Sequence, residues 1–376
     1  MFYNNYMTTD EKIALITKNV EETLTIEELK ALLERKPNPR HYIGYEVSGR
    51  VHIGQGLFTL MKIKDLQDAG VETTILLADW HTWLNKKLDG TLETASRLGK
   101  DYLAEAMKAG ALCVGADPEK INFVLGSEFL QKRGPDYWAT VVKVAKATTL
   151  ARMLRSTTIM GRKEDEVTES AMLIYPAMQS ADIFELGADI AHAGTDQRNV
   201  HVVARDAARE LGFEKPIAIH TTLLQGLLPP VITKNPETGE EEMDLEAAKM
   251  SKSKPDSGIY LTDSPEEIKR KINNAYAPEG VIKFNPILNW VKHIIFYYED
   301  NKLTIERPEK WGGNMEFNSY EALENAYASK ELHPQDLKAA VAEWLIVKLE
   351  PARKYFEDPK RKTALEEITA LTAKKQ

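Results

Sequence analysis

The chain has 376 residues, enough for about two domains of ordinary size, and its 43% hydrophobic and 28% charged content excludes both a lone small module and a disordered polymer. Its 49 basic and 57 acidic side chains argue against coating nucleic acid by bulk attraction, so any contact with a polyanion must be local and guided by shape. The single cysteine, Cys113, excludes an intramolecular disulfide and an all-cysteine zinc site.

The amino terminus lacks a basic stretch followed by an apolar run, and nowhere do about 18 apolar residues follow one another. A cytoplasmic chain with no membrane span is the expectation. Residues 1–39 read as a helical extension of two helices, because Thr25-Ile-Glu-Glu28 is a capping box set before Leu29, Leu32 and Leu33. From residue 41 the period changes. HYIGYEVSG reads as a strand, QGLFTLMKIKDLQDAG as a helix closed by Gly70, and VETTILLAD as a buried strand, which together make a βαβ unit.

A helical stretch over residues 91–113 and the apolar strand INFVLGSE continue the alternation, so a parallel sheet is expected, with ligands at the carboxyl ends of its strands. Residues 137–186 read as a helical insertion, after which GADIAHAG and PIAIHTT restore two short strands. The segment 229–258, rich in Pro, Gly, Lys and Glu, reads as a surface loop. Ser264-Pro-Glu-Glu267 then starts a run of amphipathic helices. The expected fold is α/β: a Rossmann-type parallel-sheet catalytic domain over 40–262 with a helical insertion, and an all-α domain over 263–376.

Two motifs carry chemistry. Ser48-Gly-Arg-Val-His52-Ile-Gly54-Gln55-Gly56 lies at a strand-to-helix junction, where glycines let backbone N–H groups meet a phosphate and the helix start adds favourable partial charge. Alone, it reads equally well as an ordinary glycine turn. Lys249-Met250-Ser251-Lys252-Ser253 puts lysines on the long loop, which alone reads as a solvated basic segment. Together they suit a reaction that expels pyrophosphate, because negative charge gathers on the departing oxygens.

With these two motifs the chain resembles the class I aminoacyl-tRNA synthetases, whose signatures are HIGH and KMSKS, and is most similar to their tyrosine-specific branch of archaeal and eukaryotic kind. The likeness runs from about residue 22 to about residue 356 and matches the second signature fully. In the first, Gln55 replaces the final histidine; glutamine still donates a hydrogen bond but carries no charge. The resemblance implies catalytic roles for His52, Gln55, Lys249 and Lys252, and ATP contacts from Gly54, Met250, Ser251 and Ser253.

Tyr175, Gln179 and Asp182 fall at i, i+4 and i+7, one face of a helix; on its own such a face reads as solvated. The resemblance implies that Tyr175 and Gln179 contact the amino group of tyrosine, and that Tyr42 and Asp182 contact its phenol. A buried phenol and carboxylate set against a hydroxyl would reject phenylalanine by being left unpaired. By the same resemblance Gly194 gives the backbone room beside the nucleotide, Asp196 takes the ribose hydroxyls, Gln197 holds the amino end, Ala78 and His81 flank the substrate, and Arg198 faces the tRNA acceptor stem. His333, Pro334 and Asp336 would meet the first anticodon base, with Trp311 stacked on it.

The implied activity is tyrosine–tRNA ligation: tyrosine and ATP give tyrosyl-adenylate and pyrophosphate, and tyrosine then passes to the 3′ end of tRNA(Tyr). ATP is a substrate, magnesium accompanies it without a dedicated protein site, no side-chain cluster is assigned to a metal, and the family implies a homodimer. A tryptophan-specific relative, a nucleotidyltransferase of related fold and a non-catalytic RNA-binding relative remain as alternatives. Tyr42 and Asp182 favour tyrosine over the first.

Overall fold

The protein is described from a computed structural model that covers residues 7–161, 166, 168–234, 238–244, 248–250, 254–298 and 300–374. Helix α1 (Thr9–Thr17) opens on a complete capping box between Thr8 and Glu11, and α2 (Ile26–Arg35) on the Thr25 side chain, which accepts from the Glu28 amide. Between them lies a strand, β1 (Val20–Leu24), so the amino-terminal region is not purely helical as expected. Its partner explains it. β1 runs antiparallel along β6 (Ile217–Thr221), giving the sheet an edge strand that short-range patterning does not reveal.

The expected βαβ unit is present as β2 (Arg40–Tyr45), α3 (Thr59–Asp68) and β3 (Glu72–Leu77). A π-helical turn over Gly54–Phe58 leads into α3. It packs so closely on α6 (Glu105–Val114) that a Cβ at Gly110 would lie 2.0 Å from the Gly56 carbonyl oxygen. Only glycine permits that approach. In chain order α4 (Asp79–Leu84) and α5 (Leu92–Leu98) precede α6, and β4 (Ile121–Leu125) follows it. The helical insertion comprises α7 (Gly126–Arg133), α8 (Pro135–Ala147), α9 (Leu150–Ser156) and α10 (Tyr175–Glu185). Then come β5 (Ile190–Gly194), α11 (Arg198–Leu211) and β6.

The main sheet has the order β1-β6-β5-β2-β3-β4, parallel except for β1. The order turns back on itself between β5 and β2, the switch point at which ligands bind in open α/β sheets. Within the segment expected as a loop, β7 (Ile232–Lys234) and β8 (Glu241–Met243) form a small antiparallel ribbon.

Beyond it stand α12 (Pro265–Asn273), capped by Ser264, and α13 (Pro286–His293). They are followed by the ribbon β9 (Leu303–Ile305) and β10 (Met315–Phe317), and by α14 (Tyr320–Ala328), α15 (Pro334–Lys348), α16 (Glu350–Tyr355) and α17 (Pro359–Ala373). The carboxy-terminal region is thus helical with one two-stranded ribbon added to the expected all-α arrangement. One apolar cluster runs from Ile43, Leu57 and Met107 into Trp290, Tyr297, Leu345 and Ile368, so this region shares its core with the helices on one face of the sheet. Tyr297 ties them further, donating to Asp65 of α3 at 2.6 Å. Among the described residues no helix is long and apolar enough to cross a membrane.

Candidate active site

A cavity of about 700 Å³ opens at the carboxyl ends of β2, β3, β5 and β6. Tyr42, His52, Gly54, Gln55, Ala78, His81, Tyr175, Gln179, Gly194, Asp196, Gln197, Lys249 and Met250 all line it. Tyr42 and Met250, more than two hundred positions apart, meet here because strands and the turns and helices that follow them end on one edge of the sheet. Ser251, Lys252 and Ser253 lie outside the described residues.

At the inner end, the Tyr42 ring lies back along its own strand. A Cβ at Gly44 would stand 2.8 Å from the Tyr42 hydroxyl, so glycine at that position makes room for the phenol. Asp182 is not a lining residue; it is completely buried behind the wall. Its Oδ1 accepts the Tyr137 hydroxyl at 2.7 Å, while Oδ2 has no hydrogen-bond partner among the described residues and lies 3.5 Å from His81 Nε2. Burial pushes the Asp182 carboxyl up to about 7, against the pull of the Tyr137 hydrogen bond. Burial and the nearby Asp182 raise the Tyr42 phenol well above its ordinary value, and burial lowers His81 to about 4, which keeps it neutral.

A second corner is rich in acceptors. Gln179 Nε2 donates to Gln197 Oε1 at 3.2 Å, and Gln197 Nε2 donates to the Ile159 carbonyl at 3.1 Å. The Tyr175 hydroxyl donates to Glu46 Oε1 at 2.9 Å, and Asn85 Nδ2 donates to the same oxygen at 2.8 Å. A carboxylate held by neutral donors on a cavity wall suits an ammonium group.

The third part joins the two signature segments. The Met250 methyl would touch a Cβ at Gly54 at 2.9 Å and the His52 ring one at 3.1 Å, so the first turn and the described end of the lysine segment pack together at a bare glycine. Lys249 Nζ stands 3.7 Å from Asp196 Oδ2, at the turn that follows β5. Gln55 Oε1 is buried with no partner among the described residues.

Three residues escaped sequence reasoning. Glu46 carried a readable signal, since it directly follows β2 at the strand end where ligands bind. Asn85 and Tyr137 carried none, because each acts on a residue far along the chain, Tyr137 from a helix of the insertion.

Several expected residues lie elsewhere. Arg198 does not line the cavity; it donates to both carboxylate oxygens of Glu22 on β1, at 2.9 and 2.8 Å. His333 caps α15 by accepting the Gln335 amide, Pro334 is buried, and Asp336 is half-buried in the first turn. None of the three reaches the cavity. Trp311 sits in the short turn Glu309–Trp311, and its side chain is outside the described residues.

The family model for class I tRNA synthetases (W and Y) matches residues 34–350. The chain is 49% identical over 363 residues to the tyrosine–tRNA ligase of Thermococcus sibiricus, an alignment covering 93% of this chain and 96% of the relative. It is similar to the crystal structure of tyrosyl-tRNA synthetase complexed with L-tyrosine from Pyrococcus horikoshii, with a TM-score of 0.90 and 44% identity over 97% of this chain and 100% of the other. The tryptophanyl-tRNA synthetase of Plasmodium falciparum shares the fold at 18% identity, with a TM-score of 0.63 over 99% of this chain and 94% of that one.

Proposed function

The chain belongs to the class I tRNA synthetases of the tryptophan and tyrosine group, and from that membership we propose that it is a tyrosine–tRNA ligase. ATP and tyrosine meet in the cavity, give tyrosyl-adenylate and pyrophosphate, and the tyrosyl group then passes to the 3′ end of tRNA(Tyr). The observation that carries the choice of tyrosine is the buried carboxylate of Asp182, held on one oxygen by Tyr137 and with its other oxygen, unpaired among the described residues, 3.5 Å from His81 Nε2. A phenol hydroxyl has partners there, whereas a phenylalanine ring would leave buried polar groups unpaired.

In this reading Tyr42 holds the substrate hydroxyl from the cavity wall with the unpaired Asp182 Oδ2 as the buried acceptor behind it, and Tyr175, Gln179 and Gln197, backed by Glu46, hold its ammonium group. Ala78 and His81 flank the ring. Gly54, Gly194 and Met250 give the nucleotide its bed, and Asp196 takes the ribose hydroxyls from the place where it now faces Lys249. His52, Gln55, Lys249 and Lys252 stabilise the charge that grows on the phosphates as the tyrosine carboxylate attacks the α-phosphorus. Ser251 and Ser253 complete that loop. Magnesium would accompany ATP and help neutralise the charge of its phosphates; among the described residues no group of three or more His, Cys, Asp or Glu side chains could hold a metal ion.

Residues 263–376 read the anticodon through Trp311, His333, Pro334 and Asp336, and Arg198 meets the acceptor stem once it leaves Glu22. The working form is a cytoplasmic homodimer; Trp83, Trp138 and Val142, exposed on α4 and α8 by 40%, 37% and 65%, support a covered apolar face. The test is tyrosine-dependent exchange of pyrophosphate into ATP by the folded protein. Exchange with tyrosine and little with tryptophan is expected; its absence overturns the reading. Lys252→Ala should slow exchange while tyrosine affinity stays nearly intact.

A further inference from the structure

Helix α17 lies beyond the stretch matched by the family model, which ends at residue 350. It begins in the carboxy-terminal region at the Asp358 cap and runs back along the helices of the catalytic part. Arg361 donates to Glu105 at 2.8 Å, Lys360 stands 3.5 Å from Asp101, and Arg97 grips both oxygens of Glu367 at 2.7 and 2.5 Å. Ile368 is fully buried beneath these pairs. The helix therefore ends at a fixed place, and that place is the rim of the cavity, where Leu371 and Thr372 form part of the wall.

Lys87, in the turn between α4 and α5, lines the same cavity. The turn is conformationally costly: Lys86 and Leu88, on either side, hold positive φ of 52° and 50°, a region that L-residues rarely adopt. Buried Leu88 anchors it in the core, and Asn85 ties it inward to Glu46 and to the Met160 carbonyl at 3.0 Å. Strain of this kind persists where the surroundings over-determine it, and it clusters at functional sites. Lys86 is paired with Glu169. Lys87 has no carboxylate within ion-pair distance among the described residues, so the turn presents a cation to the cavity without neutralising it.

Resting on the ligase reading, we propose that the rim formed by Lys87, Leu371 and Thr372 receives the 3′-terminal nucleotide of tRNA. The second step must bring a phosphodiester up to the tyrosyl end of the adenylate, from a side other than the one where the signatures hold the nucleotide. Lys87 supplies the cation for that phosphate. Leu371 offers an apolar surface to the base. Thr372 already donates its hydroxyl to the Ile368 carbonyl at 2.7 Å, which leaves its oxygen as an acceptor for a ribose hydroxyl or a base amino group.

The experiment separates the two steps in the full-length protein. Lys87→Ala should leave tyrosine-dependent pyrophosphate exchange within about twofold, while transfer from preformed tyrosyl-adenylate to tRNA slows about tenfold and tRNA binding loses roughly one unit of salt slope. Equal losses in both steps would place Lys87 with ATP or tyrosine, and no loss in either would make it a bystander; each result overturns the proposal. Thr372→Glu, which adds a charge that repels the phosphate, should slow transfer more than Thr372→Lys, which only removes the acceptor, whereas identical effects of the two substitutions would remove the nucleotide from this rim. If wild-type protein shows no exchange at all, it is the ligase reading that fails.

Discussion

Tyr137 donates its hydroxyl to Asp182 Oδ1 across 2.7 Å, in a part of the molecule where neither side chain meets solvent. The bond lowers the Asp182 carboxyl towards ionisation while burial pushes it up to about 7. Because this folded value lies above the unfolded one near 3.9, the stability that Asp182 contributes is present below about pH 4 and is lost as pH rises through 7.

Tyr137→Phe should therefore raise the Asp182 carboxyl further, so that at neutral pH more of it is protonated and a poorer acceptor for a substrate phenol. The acid limb of the pH profile of KM for tyrosine should move to higher pH, with a stability loss of about 1 kcal/mol. Steady-state exchange kinetics between pH 6 and 9, paired with urea melts, check it. An unmoved profile would separate Asp182 from the substrate.

Gly44→Ala should act at the same end by a different route. Its Cβ would stand 2.8 Å from the Tyr42 hydroxyl, closer than side chains tolerate, and buried Tyr42 has little room to retreat. KM for tyrosine should rise about tenfold while KM for ATP changes little. Calorimetric titration with tyrosine is the direct measurement.

At the nucleotide end, Asp196→Asn removes the charge facing Lys249 at 3.7 Å. Charge-assisted hydrogen bonds contribute about 1.5–3 kcal/mol, so KM for ATP should rise about tenfold or more with tyrosine binding retained. A selective effect on tyrosine would contradict the placement of the ribose.

Strands β2, β5 and β6 together with α11 bring four buried histidines into two contacts, His41 with His192 at 3.2 Å and His201 with His220 at 3.0 Å. Burial lowers His41 and His201 to about 3, and lowers His192 and His220 as well, the last opposed by Glu22. Folded values below about 6.5 mean that the unfolded chain binds more protons, so stability is full above that pH and falls beneath it, by up to about 1.4 kcal/mol per pH unit for each histidine. Urea midpoints should drop steeply between pH 6.5 and 5, and His201→Gln should make that drop shallower. A flat profile would mean that the pairs are protonated in the fold.

Much of this site was legible in the sequence because its chemistry sits on local patterns. A glycine-histidine turn after a strand, a lysine segment and a polar face at i, i+4 and i+7 each encode their geometry in spacing, since backbone periodicity decides which side chains share a face. The alternation of strands and helices likewise determined a parallel sheet and the edge on which the cavity opens. What spacing cannot encode is which distant surface comes to lie behind a residue.

Only tertiary packing decided that Asp182 stands behind the cavity wall with Tyr137, that β1 joins the sheet through β6, that Arg198 is held by Glu22, and that α17 returns to the cavity rim. Each of these depends on segments far apart in the chain. Their meeting is set by the burial of a shared core and by the pairing of groups left over when that core forms, neither of which any short stretch of sequence contains.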